Sequence, residues 1–300
     1  MYLFTLEILY QDKQIEQQVP WPSLHAILSG MIIAVDTGGT KTLITCFDRA
    51  GKPGKLIKFP TPKDENEYTH QLIGQLTDVS DGKKIDAVVI GIPGIIKNNI
   101  VTWAGGNLPW QDLDLGKIVA NTLDCPVFVE NDANLAGLAE AHALKNTPDG
   151  CLYITISTGI GSGIILDGEI APGTAQSEAG HIYIEYDGRV REWESFASGR
   201  AIVSTYGKMA KDIHEPKIWE QIADKISRGL LVMIPILQPD IVIIGGSVGS
   251  YFDQYGSYLE KLLDSHLPDH IVTPSLKQAQ HPEEAVIYGC YYHGKNKLSR

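Results

Sequence analysis

The stretch Met31-Ile32-Ile33-Ala34-Val35-Asp36-Thr37-Gly38-Gly39-Thr40-Lys41-Thr42-Leu43-Ile44-Thr45-Cys46-Phe47 decides the fold. Residues 31–35 are apolar, residues 36–40 read as a turn, and residues 42–47 alternate as a strand that returns beside the first. The result is a β-hairpin closed by glycine. Two glycines let backbone N–H groups come close to an anion, hydroxyls and Lys41 flank them, and Asp36 stands where it can hold Mg²⁺ through water. A tight hairpin with a solvated lysine is spelled the same way, so this loop alone leaves both readings open.

The pattern recurs in the second half of the chain. Residues 151–157 read as a strand, Thr158-Gly159-Ile160-Gly161-Ser162-Gly163 as a Gly-rich turn, and residues 164–166 as the start of a returning strand. Two units that open alike predict two similar domains with facing turns, a natural seat for a nucleotide phosphate. Around them lie strands at 56–59, 85–90 and 127–130, a helix at 65–76, a long amphipathic helix at 218–236, a strand at 241–244 followed by the turn Gly245-Gly246-Ser247, and a closing helix at 282–292. The fold class is α/β.

Three further clusters carry chemistry. Glu130-Asn131-Asp132-Ala133-Asn134 ends a buried strand and starts a helix. Asn131 or Asp132 could simply cap that helix, but a carboxylate facing a cleft between two phosphate loops is equally where a general base for a hydroxyl would sit. Glu178-Ala179-Gly180-His181 and Trp193-Glu194-Ser195 add two acids and an imidazole in the second unit. Gly245-Gly246 could present backbone to a flat ring or form an ordinary connection.

Composition narrows the function classes. Of 300 residues, 43% are hydrophobic and 20% charged, which is ordinary for a globular chain with a sizeable core. Lys plus Arg number 25 against 36 Asp plus Glu, and a net charge of -11 repels a phosphate backbone, so no nucleic-acid partner is expected. Cys46, Cys125, Cys151 and Cys290 are far apart with no CxxC pair, which favours a reducing compartment. No apolar run approaches the roughly 18 residues that span a bilayer. Nor is there a basic leader, since Glu7 and Asp12 lie in the first dozen residues, so a cytoplasmic protein is expected. Residues 1–30, with Pro20-Trp21-Pro22 and Ser29-Gly30 ahead of Met31, change character. They are either a segment upstream of an original start at Met31 or a real extension packed on the body.

Over residues 31–295 the sequence resembles the ROK family (repressors, open reading frames and sugar kinases) of the actin, Hsp70 and sugar-kinase superfamily. The likeness rests on Asp36-Thr37-Gly38-Gly39-Thr40-Lys41, Gly106-Asn107-Leu108-Pro109-Trp110, Glu130-Asn131-Asp132-Ala133-Asn134, residues 158–163, Glu178-Ala179-Gly180-His181 and Glu194-Ser195-Phe196-Ala197-Ser198-Gly199, in that order. It implies two ribonuclease H-like (actin-like ATPase) domains with an interdomain cleft. Residues 31–132 plus 283–300 would form the first lobe and residues 133–282 the second.

The resemblance further implies an ATP-dependent, Mg²⁺-requiring kinase acting on the primary hydroxyl of a hexose, most of all glucose. Asp132 matches the catalytic base. Gly94, Asn107, Asn131, Glu178, His181 and Glu194 match sugar contacts, and Asp132 faces the same sugar. Asp36, Gly38, Gly39, Thr40, Lys41, Thr158, Gly159 and Gly161 match phosphate and metal contacts, and Gly245 and Gly246 an adenosine contact. An N-acetylhexosamine kinase is the alternative within the class, and a sugar-binding regulator without catalysis the alternative outside it. A DNA-binding winged helix needs roughly 70 residues ahead of the body, whereas 30 precede Met31 with Lys13 as their one basic side chain. A homodimer is left open.

One departure concerns metal. Many relatives carry a zinc-binding Cys-x-Cys-Gly-x-x-Gly-Cys run, whereas here the stretch reads Glu185-Tyr186-Asp187-Gly188-Arg189-Val190-Arg191-Glu192. With all three thiolates replaced, no structural zinc is expected on His181, and hydrogen bonds must orient its ring instead.

Overall fold

Runs of β-branched residues, each broken by a short turn, build two five-stranded sheets with the same connectivity. The structure is a computed structural model that describes residues 30–281 and 284–300. Its first half supplies β1 (Met31–Thr37), β2 (Lys41–Phe47), β3 (Ile57–Pro60), α1 (Glu65–Ser80), β4 (Ile85–Ile92), β5 (Gly94–Lys97), β6 (Ile100–Ala104), α2 (Leu115–Leu123), β7 (Val127–Asn131) and α3 (Asp132–Ala143). Its second half supplies β8 (Gly150–Ile156), β9 (Ile160–Leu166), β10 (Glu169–Ile170), β11 (Tyr183–Tyr186), β12 (Arg189–Glu192), α4 (Glu194–Ala197), α5 (Gly199–Tyr206), α6 (Pro216–Leu237), β13 (Ile241–Gly245), α7 (Gly246–Gly249), α8 (Phe252–His266), β14 (Ser275–Gln278) and α9 (Ala285–Leu298).

The sheets run β3-β2-β1-β4-β7 and β10-β9-β8-β13-β14. In each, the first three strands are antiparallel and the last two join in parallel. This is the ribonuclease H-like order, present twice. The parallel strands read as nearly continuous apolar runs, such as Ile241–Gly245, because both faces of each sheet are covered.

The cover differs on the two faces. On the outer faces, α1 and α2 bury Leu72, Leu76 and Val119 against the first sheet, while α6 and α8 bury Trp219, Ile226 and Leu259 against the second. On the inner faces, α3 lies on β8 and β9, α9 lies on β1 and β4, and the two helices pack on each other. Leu135, Val89, Ile165 and Ile243 share this middle core, so the two lobes meet through a helix pair rather than through sheet edges. Among the described residues no helix is long and apolar enough to cross a membrane.

Local chemistry sets the helix starts. The Asp64 side chain accepts the N–H groups of Asn66 and Glu67 and so opens α1. Three expectations are corrected. Residues 158–163 are not one turn: β9 begins at Ile160, and Gly161 lies inside that strand opposite Thr155. Gly245-Gly246-Ser247 joins a strand to a short helix, so Gly246 opens α7. The closing helix starts at Ala285 and runs on to Leu298, six residues beyond the expected 292; Pro282 lies outside the described residues, as does the segment 1–29.

Close approach of α3 and α9 requires Gly289, where an added methyl carbon would stand 1.9 Å from the Leu135 carbonyl oxygen. Gly289→Ala must push the helices apart, and overpacking of this kind costs about 1–3 kcal/mol. The Tm of the variant should fall by roughly 3–10 °C in a thermal melt; an unchanged Tm would mean that the lobes are not held at this contact.

Candidate active site

The cleft between the lobes is built from strand ends. Asp36, at the C-terminal part of β1, and Asp132, the first residue of α3, line it together with Lys41, Tyr153, Thr155 and Gly246, around a cavity of about 290 Å³. Asp132 Oδ1 accepts the Ala133 N–H at 2.8 Å, which favours the charged form at a helix N-terminus. Burial opposes it and carries the Asp132 carboxyl up to about 6. Asp36 is pushed further, to about 7, first by burial and then by the charge of Asp132, with Lys41 pulling it back. Two acids facing one lysine at the base of a cleft leave negative charge uncompensated. That donor set fits a hard divalent cation held by carboxylate oxygen, as Mg²⁺ is.

Asn131 answers the question left open over capping. Its Oδ1 accepts the N–H groups of Ala133 and Asn134 at 2.8 and 3.1 Å, making it the N-cap of α3, and its Nδ2 donates to the Gly94 carbonyl at 2.9 Å. The same side chain therefore sets the helix, places Asp132 and ties down Gly94. Glu130 supports it by accepting from the Asn131 N–H and from Asn134 Nδ2, at 2.8 and 2.9 Å.

The first loop, residues 38–40, packs backbone to backbone on the loop holding Asn107. A methyl carbon at Gly39 would stand 1.8 Å from the Gly106 carbonyl oxygen, so only glycine fits. The Gly38 N–H is used within the hairpin, donating to the Lys41 carbonyl at 2.9 Å. In the second hairpin the turn is only Ser157, Thr158 and Gly159, and Gly161 lies within β9 opposite Thr155.

On the rim, Glu178, His181, Glu194 and Asp132 sit close enough to influence one another. Burial raises the Glu178 carboxyl, His181 lowers it, and Asp132 and Glu194 raise it again. Glu194 Oε2 accepts the Ile160 N–H at 3.2 Å, and His181 Nδ1 lies 3.3 Å from Glu192 Oε2. The Tyr183 hydroxyl donates to the other oxygen of Glu192 at 3.4 Å. The imidazole thus stands beside the Glu192 carboxylate at ion-pair distance, with both side chains partly exposed.

The stretch that would carry zinc thiolates forms the β11–β12 hairpin. Tyr186 stacks on Phe196 with ring centroids 4.4 Å apart, and the Arg191 guanidinium lies 5.3 and 5.1 Å from the two rings. His181, Glu192 and Glu194 do bring three ligand atoms within 4.8 Å of one another. Two carboxylates and one imidazole are not a closed, soft four-ligand set, and Glu192 and Glu194 already accept hydrogen bonds. These residues do not fit a structural thiolate zinc.

Beyond Thr158 the cleft opens into a cavity of about 640 Å³ on the second lobe, lined by Arg200, Lys211, Ser247, Val248 and Tyr251 among others. Gly245 ends β13, and Gly246 after it lines the inner 290 Å³ cavity. Arg200, Lys211 and Tyr251, and Tyr153 and Thr155 of the inner cavity, were not legible as site residues. Their types are common, and the hairpin repeat, which puts β8 where β1 stands in the first lobe, is the signal that could have marked Thr155.

Comparison with known proteins agrees with this architecture. A protein of Bacillus subtilis (strain 168) named "Putative fructokinase" is 31% identical over 276 residues, covering 82% of this chain and 91% of that one. The xylose repressor of Caldicellulosiruptor bescii is 27% identical over 250 residues, covering 69% of this chain and 62% of the repressor. The crystal structure of a ROK family glucokinase from Streptomyces griseus, in complex with glucose and AMPPNP, superposes with a TM-score of 0.71 at 24% identity over 87% of this chain and 98% of that one. The ROK family profile matches residues 32–296, and with its two-sheet, actin-like fold and its sugar-kinase-like relatives the chain belongs to the ROK family.

Proposed function

We propose that the protein transfers the γ-phosphoryl group of ATP to the primary hydroxyl of a hexose, with glucose as the favoured acceptor. The observation that carries this reading is the place of Asp132. It stands at the N-terminus of α3, between the Asp36–Lys41 side of the cleft and the rim of Glu178, His181 and Glu194.

In this reading the hexose sits on the rim, its hydroxyls held by Glu178, His181, Glu194, Asn107 and the Gly94 backbone, with Asn131 fixing that backbone. Asp132 takes the proton of the primary hydroxyl as its oxygen attacks the γ-phosphorus in line. A carboxyl at about 6 remains ionised at neutral pH yet is more basic than an ordinary aspartate. Lys41 and the backbone N–H groups of Gly39, Thr40, Thr158 and Gly159 offset phosphate charge. Asp36 would hold Mg²⁺, which supplies charge neutralisation on the phosphates when bound. The base and ribose would occupy the 640 Å³ cavity beside Tyr251, with Gly245 and Gly246 at the junction of β13 and α7 as the adenosine contact. Movement of the lobe of residues 31–132 and 283–300 against the lobe of residues 133–282 would exclude water, the competing acceptor.

The likeness to a xylose repressor supports a second reading, a sugar-responsive regulator without catalysis. Retention of Asp132, Lys41 and both hairpin turns favours the kinase. An ATP-consumption assay over glucose, fructose, mannose and N-acetylhexosamines separates the two; no turnover with any sugar would leave the regulator.

Two outcomes follow for the kinase. Asp132→Asn keeps the shape and the cap but cannot take a proton, so kcat should drop by roughly 10² to 10⁴ with glucose binding retained. In the parent enzyme kcat/KM should fall as pH drops through about 6, where Asp132 is protonated. A variant with near-parental kcat would remove Asp132 from the mechanism. Elemental analysis should find well under one zinc per chain, and a chelator should stop turnover by removing Mg²⁺ without lowering Tm; one tightly held zinc would contradict the fit described above.

A further inference from the structure

Residues 61–63, which join β3 to α1, hydrogen-bond two loops at once. Thr61 donates its N–H to the Thr40 carbonyl at 3.1 Å and its hydroxyl to the Gly38 carbonyl at 2.8 Å. Lys63 reaches further. Its ammonium donates to the Gly39 carbonyl at 2.6 Å and to the Asn107 carbonyl at 3.0 Å, and its own carbonyl accepts the indole N–H of Trp110 at 2.8 Å.

Gly39 belongs to the hairpin loop assigned to phosphate, and Asn107 to the loop assigned to sugar. One cation therefore holds a carbonyl of each. An ammonium has three donors and no acceptor, so it suits two converging carbonyl oxygens, and charge makes these bonds stronger than neutral ones. The loop it grips needs holding. Gly106 and Asn107 are consecutive left-handed residues at φ 64° and 63°, a conformation that costs energy at asparagine and persists only when its surroundings fix it.

We propose that Lys63 is a positioning residue that couples the two loops, so that hexose and nucleotide each bind more tightly in the presence of the other. This rests on the kinase reading above. A hexose that orders the Asn107 loop fixes the Asn107 carbonyl, thereby Lys63, and through it the Gly39 backbone that meets phosphate. The ordering cost met by the first ligand is not incurred again by the second.

The test compares the parent enzyme with Lys63→Met, which keeps the aliphatic stem and removes both bonds, and with Lys63→Arg, which retains donors of greater reach. Glucose affinity is read by tryptophan fluorescence with and without AMPPNP, alongside kcat and KM. The parent should show coupling of about fivefold or more between the two ligands. In Lys63→Met that coupling should collapse towards one and the glucose KM should rise by about tenfold, while Lys63→Arg recovers part of both.

A methionine variant that keeps the parental coupling ratio, even at lower overall affinity, overturns the inference, because a merely structural lysine would weaken binding without touching the ratio. Should that variant fail to fold, Lys63→Leu, which likewise lacks a donor, is read for the same ratio with the same criterion. A parent enzyme that neither phosphorylates nor binds a hexose sinks the kinase reading and this inference together. An active parent with intact coupling in the donor-free variant sinks the inference alone.

Discussion

The opposition of Asp36 and Asp132 is the constraint on which the rest of the structure depends. Each carboxylate belongs to a different part of the fold: Asp36 to the first strand of the first sheet, Asp132 to the helix that packs on the second. Burial raises both, and the charge of Asp132 raises Asp36 further. A fold left to maximise its own stability would not hold two acids together with one lysine. The arrangement makes sense as a site whose balance is completed from outside, by a cation and by a hydroxyl that gives up its proton.

The scaffold holds this pair through backbone rather than through long side chains. Asn131 uses both ends of its amide, one to cap α3 and one to hold Gly94, so the position of Asp132 and the start of β5 share a single residue. The contact of Gly39 with Gly106 fixes the β1–β2 turn against its neighbour, and Lys63 spans the two. Glu192 lies 3.3 Å from the His181 ring nitrogen on one oxygen and accepts the Tyr183 hydroxyl on the other. Arg191, set against Tyr186 and Phe196, packs the hairpin that carries Glu192 onto α4 and Glu194.

Much of the fold was legible because a glycine turn between two apolar strands is a local signal that appears twice. The repeat gave two like domains, and the sheet orders agree with it. The second turn was read too long because glycine spells turn and strand alike: Gly161 sits in β9 opposite Thr155, and no local pattern shows that the strand resumes at Ile160. Asp132, Lys41 and Asp36 stood out by motif and do converge on one cleft. Lys63 could not, since its partners lie 24 and 44 residues away and are backbone carbonyls, which carry no side-chain identity. The approach of Glu192 to His181 was hidden too, because it depends on how a hairpin folds back.

The unbalanced carboxylate pair is tested most directly by the pH dependence of stability in the ligand-free parent and in Asp36→Asn. Asp36 in the folded chain stands at about 7, above its ordinary value of 3.8, so its stabilising protonated form is complete at low pH and is lost as pH rises through about 7. Asparagine removes that loss. The difference between the two proteins should vanish near pH 4 and grow with pH until Asp36→Asn is the more stable by on the order of 2–4 kcal/mol at pH 8. An asparagine variant no more stable than the parent at pH 8 would contradict the claim that the fold holds Asp36 against its own electrostatic preference.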